Sequence, residues 1–444
     1  MEYYAKSKKV QFTSERINEI KKNMKNIEEC LKENLTETDV EILNSSITDI
    51  AEKTEEKQKT LKEHHKDIVT CAEMFFLEYG EYFTEKEKKL VVEACRIHDL
   101  GKVNLVFQAM ICPKLAEKFH IDVRKTSQIP HGFLSAVTIS LDEFDDLSEL
   151  FSDKDFGPFI TAVYYHHDRE DHYNSPAIRK YAEKYYMKQI EEYLNRKIRK
   201  LNCSNLDDLL FRNNVYTGKY IPDSNAWKEY LLIKGLLNKF DYTVSAGYEN
   251  AESAIDLHEK KLVKNIEKFL NGKELRPAQK FMKMNRDKNL IVIAPTGSGK
   301  TEASLLWMNG EKSFYTLPLK VSSNAIYLRI KENYEYKDVA LLHSDAMAVY
   351  LREYNGNEDI GEKYERSKML SQPLTVCTVD QLFRFVYRAL GTEIFAATLK
   401  YSKIIIDEIQ AYSPSVIAAI IYGLKIVTDM GGKFAIITAT FPPV

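Results

Sequence analysis

A His98–Asp99 dipeptide in CRIHDLGK sets an imidazole beside a carboxylate, and other histidines and one late aspartate stand at intervals that complete a metal shell. TLKEHHKDI supplies His64 or His65, IPHGFLSA supplies His131, VYYHHDR supplies His166 and His167, and KFDYTVSA supplies Asp241. Imidazole and carboxylate donors suit borderline divalent metals: manganese, iron, cobalt, nickel or zinc. Two such ions bridged through Asp99 and a hydroxide would clamp a phosphate from both sides. Lys102, one turn past His98, is placed to neutralise charge developing on that phosphate. His64 is preferred to His65 because Leu61 and Ile68, at −3 and +4, put it at the core-facing side of a helix. His65 stays open as the alternative.

A second chemistry is written in IVIAPTGSGKTEA. It fits a phosphate loop, with Ala294 in place of the first glycine, between a predicted strand and a predicted helix. Thr296, Gly297, Ser298 and Gly299 would offer backbone N–H groups to phosphate oxygens, Lys300 would reach the β- and γ-phosphates, and Thr301 would bind magnesium. Further on, KIIIDEIQAY puts Asp407 and Glu408 at the end of an apolar run. There Asp407 would hold magnesium and Glu408 would activate water. ATP with magnesium is the implied ligand.

These residues need two kinds of scaffold. From about 60 to 250 the apolar residues recur at helical spacing, as in KLVVEACRIHDLGK, and AIRKYAEKYYMKQIEEYLNRKIRK reads as one long polar helix. In that stretch Arg179–Lys200 carries eight Lys or Arg against three Glu, interleaved with Tyr181, Tyr185, Tyr186 and Tyr193. Lys184, Lys188, Arg196 and Arg199 facing out together would suit a groove for a single strand, and tyrosines packed on the domain are the plainer expectation. Residues 13–58 read as a charged helical insert of two helices. Residues 251–273 are polar and read as a linker carrying a helix of its own. Beyond 274 the runs NLIVIAP, KSFYTLP, VALLHS, PLTVCTV, SKIIIDE and KFAIITAT read as buried parallel strands separated by helices. The expected fold is multidomain, an all-α unit over 1–250 followed by an α/β lobe over 274–444 with a mostly parallel sheet.

Composition narrows the class. The 444 residues are 44% hydrophobic and 29% charged, which is globular rather than disordered. A formal net charge of −2 means that any nucleic-acid site must be a local basic groove. Six scattered cysteines without a C-x-x-C pair fit a reducing, cytoplasmic setting. No apolar run is long enough for a transmembrane helix.

ELRPAQKFM resembles the Q-motif of superfamily 2 helicases, where Gln279 would read the adenine edge. ITATFPP, with Thr438 and Thr440, resembles the motif coupling ATP hydrolysis to nucleic acid. TLPLKVSSNA and TVCTVDQLF resemble the backbone-holding motifs, with Lys320, Ser322, Thr378 and Gln381 as contacts. A helicase lobe behind an HD-type domain resembles the CRISPR-associated helicase-nuclease of type I interference systems. That resemblance runs from YYAKS, past the insert, to TATFPP. It implies a metal-dependent nuclease acting on single-stranded DNA, an ATP-driven translocase, and recruitment by the Cascade surveillance complex with its guide RNA. It also implies a RecA-like second lobe as partner, lying beyond Val444. The family's acidic motif reads Asp-Glu-x-His-Ala-Tyr-Asp; here DEIQAYS has Gln410 and Ser413 instead, which puts the coupling to DNA in question. An HD phosphohydrolase acting on nucleotides, and an ATP-gated DNA-binding module without nuclease activity, are the competing readings.

Overall fold

The computed structural model describes residues 3–5, 59–139, 156–167, 175–198, 201, 225–253, 260–353 and 360–440. The two helices expected within 13–58 lie outside the described residues.

Helix α1 (Leu61–Tyr79) and α2 (Glu85–Ile97) both begin at capping boxes. Thr60 with Glu63, and Thr84 with Glu87, exchange side-chain and backbone hydrogen bonds that satisfy the first free N–H groups. The chain continues through α3 (Leu105–Ile111), α4 (Pro113–Lys118), α5 (His131–Thr138), α6 (Phe156–Tyr164), α7 (Ser175–Tyr185), α8 (Met187–Leu194) and α9 (Asn225–Ser245). Every residue of α6 is buried, so it runs through the centre, and α9 packs on α1, α2 and α6. The long polar helix expected from 177 onward is two helices instead. The chain breaks at Tyr186, whose φ of −132° is not helical, because its ring turns fully inward and its hydroxyl meets that of Thr138 at 2.6 Å.

The second part starts with α10 (Lys261–Leu270) and α11 (Pro277–Met284). An α/β alternation follows: β1 (Leu290–Ile293), α12 (Lys300–Met308), β2 (Ser313–Leu317), α13 (Lys320–Glu332), β3 (Val339–Leu342), α14 (Ala346–Arg352), α15 (Ile360–Lys368), β4 (Leu374–Thr378), α16 (Val379–Leu382), α17 (Glu393–Lys400), β5 (Lys403–Asp407), α18 (Pro414–Met430) and β6 (Lys433–Thr438). All six strands expected from the sequence are present. They form one sheet in the order β1-β6-β5-β2-β4-β3, with every neighbouring pair parallel. Burial on both faces explains the unbroken apolar runs of β2, β3, β4 and β5, whereas edge strand β1 leaves Ile291 and Ile293 exposed. On β5, Ile404 and Ile406 join one core while Ile405 joins the other, as the two-residue side-chain period requires.

The first of those cores is continuous with the helical part. Helix α9 lies against α17, and Lys234 of α9 is buried 2.8 Å from Glu393. The polar stretch read as a linker carries the expected helix, α10, but its start is no spacer. Ala251 and Glu252 are buried, and Glu252 meets Lys239 of α9, Lys312 and Tyr401. Polarity was misleading here because the carboxylate is buried with cationic partners rather than solvated.

Candidate metal centre and nucleotide site

Five helices bring the metal candidates together. Helix α2 ends at Ile97, so His98 and Asp99 sit at and just past its C-terminus rather than within it. His64 comes from α1, His131 from the start of α5, His166 and His167 from just past α6, and Asp241 from α9. Asp99, at 0% exposure, is the hub. Its Oδ1 lies 3.3 Å from His131 Nε2 and 3.4 Å from His166 Nε2. Its Oδ2 lies 3.4 Å from both His64 Nε2 and His98 Nε2, and 2.6 Å from Lys102 Nζ. Asp241 closes the ring, with Oδ1 3.2 Å from His64 Nε2 and Oδ2 3.2 Å from His167 Nε2.

The residues fit a metal centre. Both Asp99 oxygens and the Nε2 atoms of His64 and His98 are buried without a well-formed hydrogen bond, although Lys102 is close enough to pair with Asp99. Leaving so many buried polar atoms unsatisfied is expensive unless a ligand takes them up. Donor atoms converge in two groups, Asp99 with His131, His166 and His167, and Asp99 with His64 and His98. Two rings are oriented through the far nitrogen. His98 Nδ1 meets the Cys95 carbonyl at 3.0 Å and His166 Nδ1 the Val163 carbonyl at 2.6 Å, which leaves each Nε2 aimed at Asp99. Burial opposes ionisation of Asp99, but His98 and Lys102 outweigh it and hold the carboxyl well below its usual range. Burial pushes His166 down to about 4, so its ring is the neutral, ligand-competent form at neutral pH.

His65 stands apart from the donor groups. It is buried, pushed down to about 3 mainly by burial and His98, and its Nδ1 faces the Tyr193 hydroxyl at 3.2 Å. Close packing sets the turn after Asp99: a Cβ on Gly101 would fall 2.0 Å from the His131 carbonyl oxygen.

In the lobe, the loop before α12 lets Gly297 and Gly299 take φ of 78° and 82°, a region glycine enters without penalty. Lys300 Nζ is 2.8 Å from Glu408 Oε1, and Thr301 is buried at the start of α12. Thr296 is exposed and the Ser298 hydroxyl is buried without a partner. Gln279 accepts the Arg276 N–H at 3.0 Å and lies against the Gly299 carbonyl at 3.4 Å, so α11 and the loop are joined. Asp407 accepts from Tyr315 at 2.7 Å, and burial raises its carboxyl to about 6. Gln410, one of the two residues at which the sequence departs from the family pattern, bridges the acidic pair to β6. Its amide N–H donates to Glu408 and its oxygen accepts from the Thr438 hydroxyl. The carboxylate needs a donor, which fixes which way the amide points.

The DNA-contact candidates are less uniform. Lys320 is exposed but ion-paired with Asp345 at 2.9 Å, Ser322 and Gln381 are half-buried and Thr378 is buried. Along 175–198, Lys184 and Lys188 are exposed, Arg196 is half-buried, and Arg199 lies outside the described residues. Tyr186 is buried, and the half-buried Tyr181 and Tyr193 bond to Asn104 and His65, so these tyrosines pack on the domain.

Residues 51–225 match the family model described as Cas3, HD domain, and residues 277–444 match DEAD/DEAH box helicase; between them they take in well over half of the chain. A CRISPR-associated nuclease/helicase Cas3 from Methanothermobacter thermautotrophicus is 25% identical over 457 residues, covering 88% of this chain and 54% of that protein. The chain is similar to Cas3 nuclease/helicases over both of its parts. It spans about half the length of that relative. The CRISPR-associated endonuclease/helicase Cas3 of Escherichia coli is 25% identical over 34% of this chain and 20% of its own length. The crystal structure of T. fusca Cas3 shares the fold, with a TM-score of 0.60 at 18% identity over 87% of this chain and 49% of that one. A chain in a structure titled as a CRISPR RNA-guided surveillance complex, pre-nicking, aligns with a TM-score of 0.50 at 17% identity over 88% of this chain and 47% of that one. Against this Cas3 background, sequence reading missed three features: the Gln410 bridge, the Lys102–Asp99 ion pair and the His65–Tyr193 contact. The Gln410 bridge to Thr438 and the His65–Tyr193 contact join residues distant in sequence, which no spacing rule encodes, whereas Lys102 and Asp99 are a local pair three residues apart.

Proposed function

We propose that the chain is a metal-dependent nuclease for single-stranded DNA joined to the first ATP-binding lobe of a helicase, working in CRISPR interference. The observation carrying this is Asp99, whose two buried oxygens face separate histidine groups. His64, His98, Asp99, His131, His166, His167 and Asp241 would hold one or two divalent transition ions. Bound there, such an ion would activate water at neutral pH and draw charge off a phosphodiester oxygen. Asp99 orients both histidine groups, and Lys102, buried beside it, offsets negative charge on the phosphate. On the lobe, Thr296, Gly297, Ser298, Gly299, Lys300 and Thr301 would cradle the ATP phosphates, with Gln279 at the base. Asp407 would hold magnesium and Glu408 would align water. Cascade with its guide RNA, the second RecA-like lobe and a cytoplasmic setting belong to the same proposal. Among the described residues no helix is long and apolar enough to cross a membrane.

Incubation with circular single-stranded DNA, without ATP, across a manganese, iron, cobalt, nickel and zinc panel tests it. Cutting is expected with at least one of these ions and none in chelator. Hydrolysis of free nucleotides in place of DNA would favour the phosphohydrolase reading. DNA binding with no cutting under any metal would favour the binding module.

The Gln410 bridge makes a separate expectation. Gln410→Ala should leave ATP affinity nearly unchanged and lower DNA-stimulated hydrolysis about 10-fold, the worth of one hydrogen bond to a charged group. A steady-state phosphate-release assay with and without single-stranded DNA measures both. Equal stimulation in the variant would remove Gln410 from the coupling.

A further inference from the structure

Asp99 and Lys102 sit on one turn, and that turn is held by buried side chains with no ligand role. The amide N–H of Asn104 donates to the Gly101 carbonyl at 2.6 Å, and its Oδ1 accepts the Phe107 backbone N–H at 2.9 Å, which caps α3. The same oxygen accepts the Tyr181 hydroxyl of α7 at 2.9 Å. Gln108 donates to the Lys102 carbonyl at 2.8 Å. Asn104 and Gln108 are each 0% exposed. On α7, Ile178 and Ala182 face inward beside Tyr181, while Arg179, Lys180 and Lys184 are exposed.

We propose that Asn104 and Tyr181 are positioning residues, a relay that ties basic helix α7 to the turn carrying Asp99 and Lys102. The inference rests on the nuclease reading of that turn. Asn104 fixes the Gly101 carbonyl and with it the path of the chain between Asp99 and Lys102. Tyr181 fixes the Asn104 amide from a helix whose outer side is cationic. Small displacements of a charge-stabilising group are costly to rate, up to about 10²-fold for 1 Å, so this relay acts on turnover rather than on strand affinity.

The test compares Tyr181→Phe, Asn104→Asp and the double variant. Asn104→Asp keeps the oxygen that accepts from Tyr181 and loses the donor to Gly101. Single-turnover cleavage of single-stranded DNA at saturating manganese should fall about fivefold for Tyr181→Phe, the loss of one neutral hydrogen bond, and further for Asn104→Asp. Because the relay is one unit, the double variant should be about as slow as Asn104→Asp alone. Affinity for the strand should be unchanged in all three. Losses that multiply in the double variant, or a fall in affinity that accounts for the rate, would overturn the proposal. A second readout does not depend on cutting. Acylation of Lys102 by an amine-reactive reagent, followed by mass spectrometry, should be faster in the variants, with exposed Lys184 labelled equally in all. Unchanged Lys102 labelling also overturns the relay. Absence of cutting by the wild-type protein under every metal would instead sink the nuclease reading.

Discussion

Asp99→Ala is expected to abolish metal-dependent cutting of single-stranded DNA and to lower the number of bound ions. The reason is positional. One carboxylate faces His131 and His166 through Oδ1, and His64, His98 and Lys102 through Oδ2. Among the described residues, the other acid at the centre, Asp241, already spans His64 and His167. If the centre contributes several kcal/mol to the transition state, its loss lowers the rate by about 10²–10³-fold or more. Removing the carboxylate also leaves Lys102 buried without its counter-charge, so Asp99→Ala risks a folding defect. Asp99→Asn keeps the shape and removes the charge, and it should be as inactive while melting closer to the wild type. Single-turnover cleavage with saturating manganese, together with metal content by mass spectrometry, measures the effect. Cutting at wild-type rate by folded Asp99→Ala would show that the reaction does not use this centre.

The sequence revealed more of this architecture than of its joints. Strands such as KIIID were legible because burial on both faces leaves an unbroken apolar run, and all six appear in the sheet. The seven metal candidates were legible because His-Asp, His-Gly, His-His and a late Asp occur together along one helical stretch, and folding brings them within reach of one another. Polar residues used as internal partners were not legible. Gln410 looks like a lost histidine until Glu408 and Thr438 are seen on either side of it. Asn104 and Gln108 look like surface amides, since nothing local predicts their 0% exposure. Tyr186 reads as one more residue of a long helix, and only its burial against Thr138 breaks that helix.

Glu252 belongs to the same illegible class, and its loss should do most to stability. It stands in the stretch that reads as linker, yet its carboxylate pairs with Lys239 of α9 at 2.8 Å, with Lys312 before β2, and accepts from Tyr401 at 2.6 Å. Both lysines are essentially unexposed. They keep carbonyl partners, Met369 and Leu370 for Lys239, Leu370 and Gln372 for Lys312, but carbonyl dipoles do not cancel a buried charge. Breaking one buried ion pair by removing a partner costs about 3–5 kcal/mol, and here one deletion strands two ammonium groups. Glu252→Ala should therefore lose most of a stability on the order of 5–15 kcal/mol, read as a large drop in urea midpoint. The loss has a pH signature. Burial pushes the Lys312 ammonium down to about 7, below its unfolded value, so the unfolded chain binds more protons and stability rises with pH from about 7 upward. Without Glu252 the charged form is disfavoured further. The share of the loss carried by Lys312 is then greatest below about pH 7 and shrinks at alkaline pH, where the amine folds uncharged. Glu335, exposed at the surface opposite Lys268, is the control, and its replacement by alanine should barely move the midpoint. If Glu252→Ala unfolds at the wild-type midpoint at pH 6, the buried network does not hold the helical part against the lobe.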